Sequence, residues 1–433
     1  MIDKVLCKGF VAAKSLLKRR SAMGQKLIFF DSEMPDANLF PVENYLSDKE
    51  TAYNKKISFT ACDTVGRKGV PLNVAPDLWK DFIEGSRIPE GYRYAGFSYG
   101  GYIGDFHSWC LPSWIWTNAA LVRYYMGIGQ VDSAVKLGEL FLKEQNQDGS
   151  WLVRYDYSNI GVIEIDAPND SAYIANQAML TLYEGIGDEK YLKAAEKCAA
   201  WIISTARSDG LVWFGKDHKN GEWITNRNIV DIGFTAGLFA RLYTITNKSE
   251  YLDFVSKFTD KYVDVFFNED AGMFCTGINA VDKQLGGFFA RGQAWALEGL
   301  IPAYELLKDE RLKNVINRTI ENVIAHQSVA GGWPYNFGRH WMGIDCKGTT
   351  VIAYDLMQWQ HYHEPEKIHN SVRKALQWAA KNTLADSSEA RGVIFCFSYE
   401  GAVVHHMNTE TAFVYGSSYA LEAYDMWRNL SNE

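Results

Sequence analysis

Three residues set the chemical question. Asp170, Asp231 and Arg291 stand 61 and 60 residues apart, each at the head of a stretch that reads as a buried helix: NDSAYIANQAMLTLYE, VDIGFTAGLFARLYT and ARGQAWALEGLIPAYE. Two carboxyl groups held close together can divide acid and base work, because burial or a like charge raises the pKa of one of them. A guanidinium beside them suits a substrate carboxylate, which it can grip through two parallel N–H donors. A plainer account competes for the aspartates. Asp at a helix start caps the chain and suits the macrodipole, so capping alone would explain either one. The arginine resists that account, since a cation there opposes the dipole by about 0.3–1 kcal/mol. It needs a partner, and a carboxylate on a ligand would serve.

The even spacing belongs to a wider repeat. Helix-turn-helix units recur with turns in YYMGIGQVDSAVKL, LYEGIGDEKYLKAA, LYTITNKSEYLDFV, YELLKDERLKNVI and YHEPEKIHNSVRKAL. Marked by Gly129, Asp188, Lys248, Asp309 and Glu364, these turns are 59, 60, 61 and 55 residues apart. A sixth unit begins near NTETAFVYGSSYALEAYDMWRNL. Six helical hairpins predict an all-α (α/α)6 toroid over residues 96–433, with first helices inside and second helices outside. An open solenoid is the alternative, but it uses shorter repeats and shorter linkers. Residues 1–95 lie outside the period and read as an irregular extension that wraps the ring or forms a small lobe.

If the first helices line the ring, their heads and the preceding loops form one mouth. Counting back one unit from Asp170 reaches Trp109, with Trp114 and Trp116 close by in FHSWCLPSWIW. Counting forward from Arg291 reaches Asp345 to Thr349, then Glu410. Gln293 and Trp295 follow Arg291 on its helix, and Asn169 precedes Asp170. Tryptophans at such a mouth would stack on sugar rings while keeping the indole N–H available. His107 reads either as a substrate contact or as a structural hydrogen-bonding histidine. Asp217 and His218 read as an exposed loop, and His361 and His363 fall near a turn on the far face. The aromatic loops QNQDGSW and GGWPYNF read first as loop-packing devices.

Composition narrows the classes. A net charge of −8 speaks against a nucleic-acid partner. Aromatic residues make up 14% of the chain, which suits a large core or a sugar-stacking groove equally well. The seven cysteines are scattered, odd in number and without a CxxC pair, which argues against zinc or a disulfide framework and fits a reducing compartment. No cofactor or metal is expected. No apolar run approaches the roughly 18 residues of a membrane span. The start, MIDKVLCKGFVAAKSLLKRRSAM, reads as a basic surface helix rather than a signal peptide, with membrane-surface contact as the alternative. The expected location is the cytoplasm.

The segments ARGQAWALEGL, VDIGFTAGLFARLYTITNKSEYL and NDSAYIANQAMLTLYEGIGDEKYLKAA resemble the unsaturated glucuronyl and rhamnogalacturonyl hydrolases of glycoside hydrolase families 88 and 105. The likeness covers roughly residues 100–430, with the RGQAW stretch its distinctive part. It implies that Asp231 is the catalytic acid/base and Asp170 the second active-site aspartate. It further implies that Arg291 and Trp295 contact the uronate end of an oligosaccharide, and that one of Trp109, Trp114 or Trp116 supplies an aromatic from the first inner helix. The reaction implied adds water across the C4=C5 double bond of a terminal unsaturated uronic acid, and the unstable product then falls apart. Asn169 departs from the family, which usually has His there. Two other readings remain at this stage. A toroidal lyase or epimerase would lean on Tyr with His107, His405 or His406. A non-catalytic saccharide-binding toroid would keep the groove and lose the acid.

Overall fold

A computed structural model describes residues 69–431, apart from 92–93, 104–107, 111–114, 158–160, 339–342, 387–390 and 399–408. The basic N-terminal segment, with the rest of residues 1–68, therefore lies outside the described residues.

The hairpin turns fall where the repeat places them, for a local reason. The helices Pro168–Ile186, Phe234–Thr246 (α6) and Ala290–Leu307 (α8) each stop at a left-handed residue: Gly187 at φ 76°, Asn247 at 55° and Lys308 at 53°. Such a residue ends a helix by returning its N–H to an orphan carbonyl. The next residue caps the following helix in two of the three turns. Asp188 accepts from Lys190 N at the start of Glu189–Thr205 (α5), and Asp309 from Leu312 N at the start of Glu310–Ala325 (α9). Pro168–Ile186 is a single rod (α4), interrupted by a π turn at Ala175–Leu180.

The remaining helices are Ala75–Gly85 (α1), Thr117–Gly127 (α2), Val131–Glu144 (α3), Ser249–Phe266 (α7), Cys346–Trp359 (α10), Pro365–Lys381 (α11) and Val414–Ser431 (α12). Two layers follow from sequence pattern. The outer α9 buries Leu312, Val315, Ile316, Thr319, Ile320 and Val323, a single stripe at spacings of three and four. The inner α8 buries side chains on every face, from Ala290 to Tyr304. Each inner helix packs on the next in the order α2, α4, α6, α8, α10, α12, and α12 returns to α2, closing the (α/α)6 ring.

The sixth hairpin is completed in an unexpected way. Its inner helix is the C-terminal α12, and the helix packed outside it is α1, from the other end of the described chain. Trp79 of α1 is fully buried and donates from Nε1 to Thr383 Oγ1, while Gly69 N and Val70 N bond to Thr383 O and Ala380 O at the end of α11. The ring thus reaches N-terminal to residue 96. A division at 95/96 would cut off a helix that the packing requires. The head of the sixth unit also departs from expectation. Thr409–Phe413, including Glu410, is an antiparallel strand in a four-stranded sheet with Cys396–Ser398, Gly101–Ile103 and Ser108–Cys110, and helix begins only at Val414.

Among the described residues no helix is long and apolar enough to cross a membrane.

Candidate active site

The mouth is assembled by latches that join loops to inner-helix heads. Trp151 in QNQDGSW and Trp333 in GGWPYNF are both fully buried, and each indole donates to a carbonyl ten residues earlier, Phe141 O at 2.8 Å and Val323 O at 2.7 Å. Their backbone N–H groups bond to hydroxyls at inner-helix heads: Trp151 N to Ser171 Oγ and Trp333 N to Thr349 Oγ1, both at 3.0 Å. These loops are packing devices, as read from sequence, and through Ser171 one of them fixes the turn that carries Asp170.

Asp170 lies buried in the first turn of α4, and Asn169 beside it donates from Nδ2 to Asp170 Oδ1 at 3.1 Å. Asp231 is half-buried in a short 3-10 turn, Val230–Gly233, that leads into α6. The head of α4 packs against that turn, and the turn packs against α8. Glycines permit the close approach. A Cβ at Gly299 of α8 would come within 2.0 Å of Gly233 O, and one at Gly292 would sit 3.0 Å from Val230 Cγ1. Behind Asp231, Tyr262 donates to Val230 O at 2.7 Å. Burial, then the charge of Asp231, pushes the Tyr262 phenol well above its ordinary range. Asp170, Asp231 and Arg291 therefore head three successive inner segments at one end of the ring.

The partner of Arg291 is in the protein. Its Nε lies 3.3 Å from Asp345 Oδ2, its Nη2 donates to Tyr335 Oη at 2.7 Å, and its guanidinium sits 5.0 Å from the centre of the Tyr335 ring. Asp345 is fully buried and caps α10 by accepting from Lys347 N at 3.1 Å. The partner that an arginine at a helix head needs, for which a ligand carboxylate would have served, is supplied from within: a carboxylate at the head of the next inner helix offsets the unfavourable dipole. Arg291 remains partly exposed, so the pair can still meet a ligand.

Gln293, expected as a substrate contact, has its amide taken up inside the protein. It is fully buried, accepts from Phe274 N and donates to Phe274 O and Phe289 O, pinning the strand Met273–Phe274 to α8. Trp295 and Trp116 also depart from the expectation of open stacking faces. Both are buried, in an aromatic layer across the ring with Tyr173, Phe234 and Tyr415. Trp116 meets Tyr173, Trp295 and Tyr415 edge to face at 5.4, 6.3 and 5.4 Å, and Phe234 bridges Tyr173 and Trp295 at 4.7 and 5.0 Å. This layer is a floor beneath the helix heads. Trp109 sits in the strand Ser108–Cys110, opposite Tyr102. Trp114, His107, His405 and His406 lie outside the described residues.

Some polar groups escaped the sequence reading. Asp345 was reached by counting but not chosen, because its link to Arg291 is a contact between helices. His218 lies in an exposed turn, as read, and also reaches a buried carboxylate. Its Nδ1 lies 3.2 Å from Oδ1 of the buried Asp166, and its N–H bonds to Glu164 O. Burial raises the Asp166 pKa, and His218 and Lys216 pull against that rise. The far-face placement of His361 fits its position after α10, beside Glu305 of α8.

The fold resembles an unsaturated glucuronyl hydrolase specific for heparin, with TM-score 0.66 and 16% identity over 84% of this chain and 98% of that one. An unsaturated glucuronyl hydrolase from Bacillus sp. GL1 gives 0.63 and 15% over 82% and 96%, and a possible GH105 member from Klebsiella pneumoniae gives 0.62 and 14% over 84% and 95%. None of the curated proteins compared with it matches the sequence. The family model of Glycosyl Hydrolase Family 88 matches residues 145–428, a span that holds Asp170, Asp231, Arg291 and Asp345. The chain belongs to Glycosyl Hydrolase Family 88 and is a glycoside hydrolase.

Proposed function

We propose that the protein removes a terminal 4,5-unsaturated uronic acid from an oligosaccharide by hydrating its double bond. The observation that carries this reading is the packing of three inner-segment heads, which puts Asp170, Asp231 and Arg291 at one mouth above an aromatic floor. Asp231, the more exposed of the two aspartates, acts as acid and then as base: it delivers a proton to the alkene carbon and then accepts one from the attacking water. Asp170, oriented by Asn169, supplies the neighbouring charge that favours a protonated partner. Arg291, held by Asp345 and Tyr335, faces the substrate carboxylate. Trp295 and Trp116 shape the floor against which the sugar rests, rather than stacking through open faces. Cys198, Cys275 and Cys346 are buried and in no disulfide, which is compatible with a reducing, cytoplasmic setting for this work.

The test is turnover of unsaturated uronyl disaccharides, followed by loss of the ultraviolet absorbance of the double bond. The wild-type protein consumes the chromophore, whereas a protein that generates it would be a lyase. An Asp231→Asn variant that folds normally yet still turns over would overturn the assignment.

A further inference from the structure

Two polar atoms at the mouth are buried and unmet. Asn169 is 2% exposed and its Nδ2 donates to Asp170 Oδ1, yet among the described residues its own Oδ1 receives no hydrogen bond. Trp116 is 7% exposed, and its indole N–H likewise has no acceptor among the described residues. Native proteins leave few buried polar atoms unmet, because each gives up its hydration without return. An amide oxygen and an indole N–H could satisfy one another, but these two do not meet, so a third group is called for.

Their places follow from the helices. On α4, Ser171 turns outward, where its hydroxyl meets Trp151 N of the latch loop. Asn169, two residues earlier, is about 200° from it around the helix and so turns toward the ring axis. Tyr173 checks this. It stands four residues on from Asn169, about 40° away around the helix, and its ring belongs to the aromatic floor, 4.7 Å from Phe234. Asn169 therefore lies one turn above the floor on the side of the mouth formed by α4. Trp116 comes from the same side: it immediately precedes α2, the neighbour of α4, and its ring meets Tyr173 edge to face at 5.4 Å.

The chemistry of the missing group follows from the pair. Asn169 Oδ1 only accepts and Trp116 Nε1 only donates. A carboxylate would suit the indole and be repelled by the amide oxygen, and an ammonium would do the reverse. A hydroxyl both donates and accepts. A 4,5-unsaturated uronate offers two, at C2 and C3, since C1 carries the glycosidic bond, C4 and C5 the double bond, and C6 is the carboxylate. C2 lies across the sugar ring from C5, which bears that carboxylate. In the order of the inner helices, α2 likewise lies across the ring from α8, the helix of Arg291. A sugar with its carboxylate at Arg291 turns its hydroxyls toward Trp116 and Asn169.

We propose that Asn169 and Trp116 recognise a ring hydroxyl of the terminal sugar, Asn169 Oδ1 accepting from it and Trp116 Nε1 donating to it. They form the hydroxyl side of the site, opposite its carboxylate side. This rests on the proposed function for the identity of the sugar, but not for the binding of a hydroxyl.

The test compares kcat/KM of wild type, Asn169→Ala and Trp116→Phe on an unsaturated uronyl disaccharide and on its 2-deoxy and 3-deoxy forms. Wild type is expected to lose at least about fivefold on one deoxy form. In Asn169→Ala the parent falls toward that deoxy form, so the ratio between them shrinks toward one. Trp116→Phe, which removes the N–H but keeps a ring in the floor, shrinks the ratio in the same direction. Misorientation of Asp170 alone would slow all three substrates equally, and an unchanged ratio in Asn169→Ala overturns the proposal. So does a wild type indifferent to both deoxygenations, the result expected if only water occupies this corner. Should Asn169→Ala fail to fold, Trp116→Phe carries the test, and a wild-type ratio there overturns the proposal. If no unsaturated uronide is consumed, calorimetric titration with methyl glucuronide and its 2-deoxy and 3-deoxy forms takes the place of kinetics. A preference for the hydroxyl that is present in wild type and reduced in the variants then supports the proposal while the reaction assignment fails. Equal binding of the three glucuronides, or binding of none, overturns both.

Discussion

The ring holds two polar clusters, one on each side of the aromatic floor, and they are built to opposite ends. Above the floor the mouth leaves Asp231 and Arg291 partly open to solvent. Below it, Arg123 of α2 is gripped by Glu422 through bonds of 2.7 and 2.8 Å, reaches Gln177 Oε1 at 2.8 Å and Glu298 Oε1 at 3.2 Å, and lies against the rings of Tyr354 and Tyr419. Glu298 also accepts from Tyr419 and from Gln177, and Tyr419 meets Tyr173 of the floor at 2.6 Å. The lower cluster is largely consumed by its own contacts and joins five inner helices. It ties the ring together, while the upper cluster is the one proposed to meet a substrate. The two charged clusters thus differ chiefly in how far their groups are taken up by one another, since Arg123, with a side chain 14% exposed, is bonded to Glu422, Glu298 and Gln177.

The sharpest way to break this comparison is to mutate both sides and read both rate and stability. Asp231→Asn is expected to lower kcat by about 10²–10⁴-fold, the range for losing a general acid/base, with an unchanged denaturation midpoint. Arg123→Met should do the reverse. Removing it strands Glu298 and Glu422, and breaking a buried ion pair costs about 3–5 kcal/mol. Denaturant unfolding should reveal that loss, while the folded fraction keeps its KM. If Arg123→Met instead abolished turnover without loss of stability, the lower cluster would be part of the catalytic machinery.

A smaller effect tests the division within the mouth helix itself. Gln293→Ala leaves the N–H and carbonyl of Phe274 without their side-chain partner, and unsatisfied buried groups cost about 1–3 kcal/mol each. A stability loss of that order with unchanged KM is expected. A raised KM with unchanged stability would restore Gln293 as a substrate contact.

The mildest prediction concerns pH. Asp355 of α10 is fully buried, and among the described residues neither of its oxygens has a hydrogen-bond partner. Burial, with the charge of Glu298 adding to it, raises its pKa well above the ordinary value. An acid that holds its proton more tightly when folded contributes most at low pH. Its contribution declines as pH rises from the unfolded-state pKa, about 4, toward the raised folded value. Asp355→Asn mimics the protonated acid, so thermal unfolding should show stabilisation at neutral pH that disappears below pH about 4. Equal shifts at both pH values would contradict this account.

How much of this was legible beforehand depended on the kind of contact. The five turns were visible because they recur at nearly equal spacing, and in turns such as EGIGDE a left-handed stop followed by a cap is a local device, written in four or five consecutive residues. Asp170 and Asp231 were visible because a regular repeat puts equivalent positions at equivalent heights, so counting alone brings them to one mouth. Gln293 was read as a substrate contact from its place near Arg291, but its amide turns to the Met273–Phe274 strand, a neighbour from another part of the chain that counting along the helix does not reveal. Trp116 and Trp295 were placed near the right height, but whether an indole floors a cavity or faces it depends on neighbours from other units. His218 is in an exposed turn as read, but its contact with Asp166 depended on strand pairing at Lys216–Asp217, which no local pattern showed.

By itself, then, the sequence determined the hairpin period, the two-layer ring and the level at which the acids and the arginine stand, since these rest on local turns and on helical stripes of buried residues. Tertiary structure alone decided that α1 closes the sixth hairpin, that Asp345 meets Arg291, and that Arg123, Glu298 and Glu422 from three inner helices join in one cluster. Each of these depends on distances between segments far apart in the chain, set by how closely backbones approach, as at Gly233 and Gly299. No local pattern of residues encodes that separation.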